Sequence, residues 1–303
     1  MEWIEQEDFL NLPIQEVASL VQASQTKVCV FPFNGTRRWF LLEHGDKAHD
    51  NFFKAYIEET TKGYIRTFQL LFDHGIDTVL APVFGSEILT RGEEYMKQIG
   101  SGMSLLAEHP YFLSFYEEYD IRVHFYGEYR KELKDTEYAY ISDQFDAITQ
   151  KTKSHKRHSL LYGVFASDAT ESIAKISVQY YKERGTIPTR KELIEAYYGE
   201  YVEKANIFIG FEKFSIFDYP MLNWGEESLY FTVAPSLYMT EKQFRGILYD
   251  HIYLRPIKEP DYTKMQRKDI EVARHFYQIN RETTLGTGEV RGGIWYPQSK
   301  INE

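Results

Sequence analysis

KVCVFPFNGTRRWF (27–40) is the stretch from which the fold is read. Its first seven residues, Lys27 to Phe33, form a short apolar run rich in valine and phenylalanine, the pattern of a buried strand. A polar stretch, Asn34 to Arg38, follows at once, and beyond it lies a long helical pattern. Phe53, Tyr56, Ile57, Thr60, Tyr64, Phe68 and Leu71 recur near i, i+3, i+4 and i+7, one face of a helix of about twenty residues. His74-Gly75 predicts its end, with glycine as the C-terminal cap. A glycine directly after a strand lets the backbone approach an anion closely, and successive N–H groups before a helix favour negative charge. Arg37 and Arg38 add two fixed positive forks suited to phosphate oxygens. The same pair could instead make surface ion pairs with carboxylates, and spacing alone leaves both readings open.

Outward from this stretch the alternation continues. Asp77 to Phe84, Ile121 to Tyr126, Leu160 to Phe165, Ala205 to Phe211 and Ser228 to Val233 read as further strands, making about six. Between them, Ile88 to Leu106 reads as a helix interrupted at Gly100 and Gly102, and Phe112 to Tyr119, Tyr138 to Thr149, Asp168 to Arg184 and Thr189 to Tyr198 as further helices. The last of these opens Pro-Thr-Arg-Lys-Glu, like a capped start. Strands separated by helices predict an α/β fold with a mainly parallel six-stranded sheet covered on both faces. Gln150 to His158 (QKTKSHKRH) reads as a mobile loop, and residues 1–303 as a single domain.

The chain has 303 residues, 43% of them hydrophobic and 16% aromatic, which is ample for one large core. The 24 tyrosines and 21 phenylalanines could line an apolar pocket or fill that core. A net charge of −10 argues against a nucleic-acid partner and makes any basic cluster the mark of a specific anion. The lone cysteine, Cys29, sits within the first strand and reads as a structural thiol. The opening MEWIEQEDFLNLP lacks the basic flank and apolar stretch of a signal peptide, and no apolar run approaches the ~20 residues of a membrane span, so the expected location is cytoplasmic.

Several motifs are absent. There is no phosphate-binding Walker sequence, no His-Glu-x-x-His zinc site and no Gly-x-Ser-x-Gly elbow. Gly286-Thr-Gly288 has no βαβ unit after it and is not read as a dinucleotide loop. His155 and His158 sit in the basic loop without nearby acidic ligands and read as solvated surface, so no metal site is assigned. The chain contains no Asp-Asp pair, which removes the aspartate-rich magnesium site of helical terpene synthases and trans-prenyltransferases.

FPFNGTRRWF (31–40) resembles the Asp-Gly-Asn-Gly-Arg-Trp signature of cis-prenyltransferases such as undecaprenyl diphosphate synthase. It is more similar still to the corresponding segment of the tuberculosinyl adenosine transferase and tuberculosinol synthase family. That second resemblance runs nearly the whole chain, through FDHGIDTVLAPVF (72–84), PTRKELIEAYYGEYVEKANIFIGF (188–211), SLYFTVAPSLYMTE (228–241) and ILYDHIYLR (247–255). It implies a cis-prenyltransferase-like fold, usually a homodimer, with a hydrophobic cleft between helices and sheet. The implied activity ionises an allylic, tuberculosinyl-type (bicyclic, halimane) diterpenyl diphosphate and transfers the terpenyl group to adenosine or water. Carried over by position, Gly35, Thr36, Arg37, Arg38, Lys213 and Ser215 would bind the diphosphate, and Tyr56 and position 34 would be catalytic.

The departures from the resemblance matter as much. Position 34 is asparagine where both families have the catalytic aspartate, which implies an impaired or substituted form, because an amide cannot accept a proton as a carboxylate does. Gly210 replaces an arginine of the chain-elongating enzymes, Ser228 falls where their magnesium-binding glutamate precedes LYF, and FGSEIL (84–89) lacks their Asn-Trp. These losses argue against chain elongation and leave a need for magnesium open. The alternatives are a cis-prenyl diphosphate synthase and a non-catalytic member of the fold that binds a prenyl diphosphate.

Overall fold

The computed structural model describes residues 2–90, 92–259 and 261–298. Six strands form one sheet: β1 (Val28–Val30), β2 (Thr78–Phe84), β3 (Ile121–Tyr126), β4 (His158–Val164), β5 (Ile207–Phe211) and β6 (Ser228–Thr232). Their spatial order is β3-β4-β2-β1-β5-β6, and every neighbouring pair is parallel. In chain order the helices are α1 (Gln6–Asn11), α2 (Ile14–Ala23), α3 (Thr36–His44), α4 (Ala48–Asp73), α5 (Glu93–Glu108), α6 (Pro110–Glu118), α7 (Tyr129–Leu133), α8 (Tyr140–Lys151), α9 (Thr170–Arg184), α10 (Arg190–Tyr198), α11 (Glu241–Tyr249) and α12 (Arg267–Asn280).

The apolar runs of the strands are continuous because the sheet is buried on both faces. Period-2 alternation then sorts each strand between two cores. Cys29, Val79, Ala81 and Ile207 face a larger core with Phe68 and Leu71 of α4, Met103 of α5 and Phe145 of α8. Val28, Val30, Leu80 and Phe208 face a smaller one with Ile194 and Tyr198 of α10. Cys29 is fully buried, and burial pushes its thiol pKa far up, so it is an inert packing group. β1 is short, yet the expected strand to Phe33 keeps part of its ladder: the N–H groups of Phe31 and Phe33 donate to the carbonyls of Leu80 and Pro82 at 2.8 and 3.3 Å.

The long helix is α4, and it ends at Gly75 with φ of 94°, a left-handed position that glycine takes without strain. The capped start is present in full: Thr189 accepts from the Glu192 backbone N–H while the Glu192 carboxylate accepts from that of Thr189. Three expectations need correction. The segment read as one helix from Ile88 is a 3₁₀ turn (Ser86–Thr90) followed by α5, which runs through Gly100 and Gly102 without interruption. Gly100 is tolerated because the Tyr138 ring packs where its Cβ would stand.

Gln150 to His158 is not a mobile loop: Gln150 and Lys151 end α8, His158 begins β4, and the residues between form a tied turn. Asp120 holds it, its carboxylate accepting from the N–H groups of Lys156 and Arg157 at 3.1 and 3.0 Å. His158 is not solvated surface either; it begins β4, is 7% exposed and stacks on Phe72 with ring centroids 4.3 Å apart. Near the end of the chain Gly288 opens an antiparallel hairpin, β7 (Gly288–Arg291) with β8 (Ile294–Pro297), an element the sequence reading did not anticipate.

Burial and the nearby Arg157 charge hold the His158 pKa down at about 4. Between the ordinary value near 6.5 and about 4, the unfolded chain binds a proton that the folded site refuses, so stability falls as pH drops through that window, by about 3 kcal/mol in total. Urea melts at stepped pH check this. His158→Phe is expected to lose less stability between pH 7 and pH 4 than the wild type, and an identical pH slope would assign the titration to another group.

Candidate active site

β1 leads to the neighbour on one side, β2, whereas β5, the neighbour on its other side, leads to β6. The loops leaving the C-terminal ends of β1 and β5 therefore diverge, and a crevice opens between them, the usual ligand position in open parallel sheets. A cleft of about 990 Å³ lies there. Asn34, Gly35, Thr36, Arg37 and Arg38 line it from the β1 side, Lys213 and Ser215 from the β5 side, and Tyr56 from α4. All eight residues singled out from the sequence thus stand around one cavity.

The β1 loop is held closely. Gly35 is the residue before α3 and has φ of 72°; a Cβ there would come 2.8 Å from the Phe211 ring and 3.0 Å from Pro235. Only glycine satisfies both the left-handed backbone and that approach. Ser236 clamps the residue before it: its Oγ accepts from the Asn34 N–H at 3.0 Å and donates to the Pro32 carbonyl at 3.1 Å, and its own N–H donates to the Asn34 carbonyl at 3.1 Å. The side-chain amide of Asn34 makes no hydrogen bond among the described residues and lines the cleft.

The charge at the mouth is positive. α3 begins with Thr36-Arg37-Arg38 and carries no acidic residue in its first turn, although the positive end of a helix favours carboxylates there. Arg38 lies over the Phe211 ring at 5.4 Å and 3.4 Å from the Glu212 carboxylate; Lys213 also lines the cleft and is exposed. The Tyr56 hydroxyl is 2.7 Å from Thr36 Oγ1. Burial raises the Tyr56 pKa, opposed in part by the Thr36 hydrogen bond and the Arg37 charge, so the phenol is neutral near pH 7.

Below this mouth the wall is apolar. Phe33 and Tyr64 stack with centroids 3.9 Å apart, and Val83, Phe84, Ile88 and Ile99 continue the lining. Burial lifts the Tyr64 phenol well above its ordinary pKa. Tyr64 was read from the sequence only as a face of α4; its spacing from Tyr56, two helical turns, was the available signal. Ser236 and Glu212 were missed, the first because a clamp 202 residues from its partner leaves no local pattern. Together, a cationic rim over an aromatic trough suits an amphiphile with a polyanionic head and an apolar body.

Among the described residues no group of three or more His, Cys, Asp or Glu side chains is placed to hold a metal. Ser228 lies at the N-terminal end of β6, away from the cleft, hydrogen-bonded to His251 at 2.7 Å.

No family model matches the chain. It is 46% identical to tuberculosinyl adenosine transferase from Mycobacterium tuberculosis over 300 residues, 98% of this chain and 100% of that protein. It is 27% identical to (+)-kolavelool synthase from Herpetosiphon aurantiacus, over 96% of this chain and 95% of that one. Among solved structures, a probable undecaprenyl diphosphate synthase from Campylobacter jejuni superposes with a TM-score of 0.54 at 11% identity, covering 78% of this chain and 98% of that chain. At that identity the likeness shows the fold, which is the expected cis-prenyltransferase fold.

Removing the Arg38 guanidinium is expected to raise the Kd for inorganic diphosphate by roughly 10- to 100-fold, the scale of one charge-assisted hydrogen-bonded contact. Calorimetric titration of Arg38→Ala tests this, and an unchanged Kd would remove Arg38 from the anion site. Gly35→Ala is expected to lower stability by about 1–3 kcal/mol from backbone strain and overpacking against Phe211, read in urea melts.

Proposed function

Because the chain belongs to the tuberculosinyl adenosine transferase family, we propose that it is a terpenyl transferase or terpene synthase that ionises an allylic diterpenyl diphosphate and passes the terpenyl group to adenosine or water. The observation that carries the reading is the cleft itself, with arginines and a lysine at its mouth and stacked aromatic rings beneath. The head of the substrate lies at Arg37, Arg38, Lys213, Ser215 and the backbone of Gly35 and Thr36. The body lies along Phe33, Tyr64 and Phe84.

In the reaction the allylic C–O bond breaks and both electrons leave with the diphosphate. The preorganised positive groups at the mouth stabilise that developing charge. Aromatic faces stabilise the allylic cation. A ring nitrogen of adenine forms a C–N bond with its lone pair and loses no proton, so the conjugate is cationic. Water forms a C–O bond and gives up a proton, for which the departing diphosphate is an available base. Tyr56, a neutral phenol, orients the acceptor. Asn34 hydrogen-bonds the acceptor but cannot take the proton that water gives up, so binding persists while turnover to the alcohol is low.

The same reading takes residues 1–303 as one domain of a cytoplasmic homodimer. No helix among the described residues is long and apolar enough to cross a membrane. Asn34 also favours a second reading, a member of the fold that binds a prenyl diphosphate without turnover. A chain-elongating synthase is the weaker alternative; incorporation of labelled isopentenyl diphosphate would identify it.

The deciding experiment is mass spectrometry of products from wild type and Asn34→Asp incubated with geranylgeranyl and tuberculosinyl diphosphates, with and without adenosine. With water as acceptor, the branch that gives up a proton, the substitution is expected to raise turnover by at least about 100-fold, the lower part of the range for a general base. A mass equal to terpenyl plus adenosine establishes transfer, and terpene alcohol unchanged by adenosine establishes a synthase. Diphosphate binding without product in either protein would favour the binding-only reading.

A further inference from the structure

Tyr126, at the C-terminal end of β3, packs with Tyr197 and Tyr198 at the end of α10, with ring centroids 4.8 to 6.0 Å apart. Two of the three hydroxyls are satisfied: Tyr126 donates to the Asp218 carbonyl and Tyr198 to that of Pro220, each at 2.7 Å. The Tyr197 hydroxyl has no hydrogen-bond partner among the described residues, although the residue is only 9% exposed. Such a hydroxyl carries a desolvation cost that phenylalanine in its place would not, so its presence calls for a partner.

The place for that partner is a cavity of about 350 Å³ outside the cleft, at the small end of ligand cavities. Tyr126 and Tyr197 line it, with Gly127 and Glu128 from the loop after β3 and Ser172 and Lys175 from α9. The Glu128 carboxylate accepts from the Ser172 hydroxyl and has no ion-pair partner among the described residues. The two cations at the cavity are already paired, Lys175 with Glu171 and Arg130 with Asp146. Burial raises the Tyr197 pKa and the nearby Glu128 charge raises it further, so the phenol stands neutral beside a carboxylate.

The uncompensated charge at the cavity is therefore negative. An anion would meet Glu128 as a like charge, and an apolar ligand would leave the phenol unpaired. A primary ammonium answers both, because its N–H groups donate to the carboxylate and to the phenol oxygen. The faces of Tyr126 and Tyr197 attract the same charge, and Ile176 offers an alkyl stem an apolar contact. We propose that this cavity is a second binding site, for a small primary ammonium ion held between Glu128, Tyr197 and the two tyrosine rings. It lies outside the cleft and does not depend on how the cleft is read.

The test is calorimetric titration of the full chain with n-butylammonium. The controls are butyltrimethylammonium, which lacks N–H groups, and n-butanol, which lacks the charge. Butylammonium is expected to bind, and both controls at least about tenfold more weakly, the scale of a lost hydrogen bond to a charged group. Tyr197→Phe and Glu128→Gln are each expected to raise its Kd by roughly tenfold, the glutamine keeping an acceptor for Ser172. Tyr197→Phe is also expected to leave Tm unchanged or raise it, because it removes an unpaired hydroxyl and no contact. No binding by the wild type, or a Kd that either substitution leaves unmoved, overturns the proposal. A lowered Tm in Tyr197→Phe would reveal a structural partner for the phenol and overturns it as well. Displacement of butylammonium by adenosine, an uncharged nucleoside, would overturn the assignment to an ammonium ion.

Discussion

Gly35 has no room for a Cβ, and from that one close approach the geometry of the cleft follows. A Cβ there would strike Phe211 at the end of β5 and Pro235 beyond β6, so segments far apart in the chain are brought to one point. Ser236 then fixes the adjoining Asn34 backbone from both sides. The first turn of α3 inherits its direction from this contact, and with it the arginines inherit theirs. A side chain at position 35 would push the β1 and β5 loops apart, and the cationic groups would no longer converge.

The charges make sense only in that setting. Two arginines in the first turn of α3 oppose the positive end of the helix, and the chain around them is acidic overall. A local conflict of this kind is what a functional site looks like when the rest of the sequence agrees with its fold. The Glu212 carboxylate near Arg38 relieves part of it, and an anionic ligand would relieve the remainder.

Much of this was legible in the sequence, for physical reasons that differ from element to element. The strands were legible because burial on both faces leaves unbroken apolar runs, and α4 because its buried face repeats every turn. The mouth of the cleft was legible because strand, glycine and paired arginines sit within ten residues. What failed to show depended on partners distant in the chain. Gly100 reads as a breaker until Tyr138 is seen against it, and His158 reads as part of a basic loop until Phe72 is found stacked on it. Ser236 is an ordinary serine until the fold lays it across Asn34. The hairpin at Gly288 was masked by a glycine spacing that suggested a nucleotide loop only to exclude it.

The tyrosines of the trough also bear on the fate of the enzyme itself. A phenolate is a strong nucleophile, and one beside an allylic cation would capture it as an aryl ether, ending the life of that molecule. Tyr56 and Tyr64 have their pKa values raised by burial, so in the proposed reaction both rings would meet the cation as neutral phenols. The stacked wall can then lend its π electrons to a passing cation without forming a bond to it. Burial of these two hydroxyls would then guard the enzyme against self-alkylation.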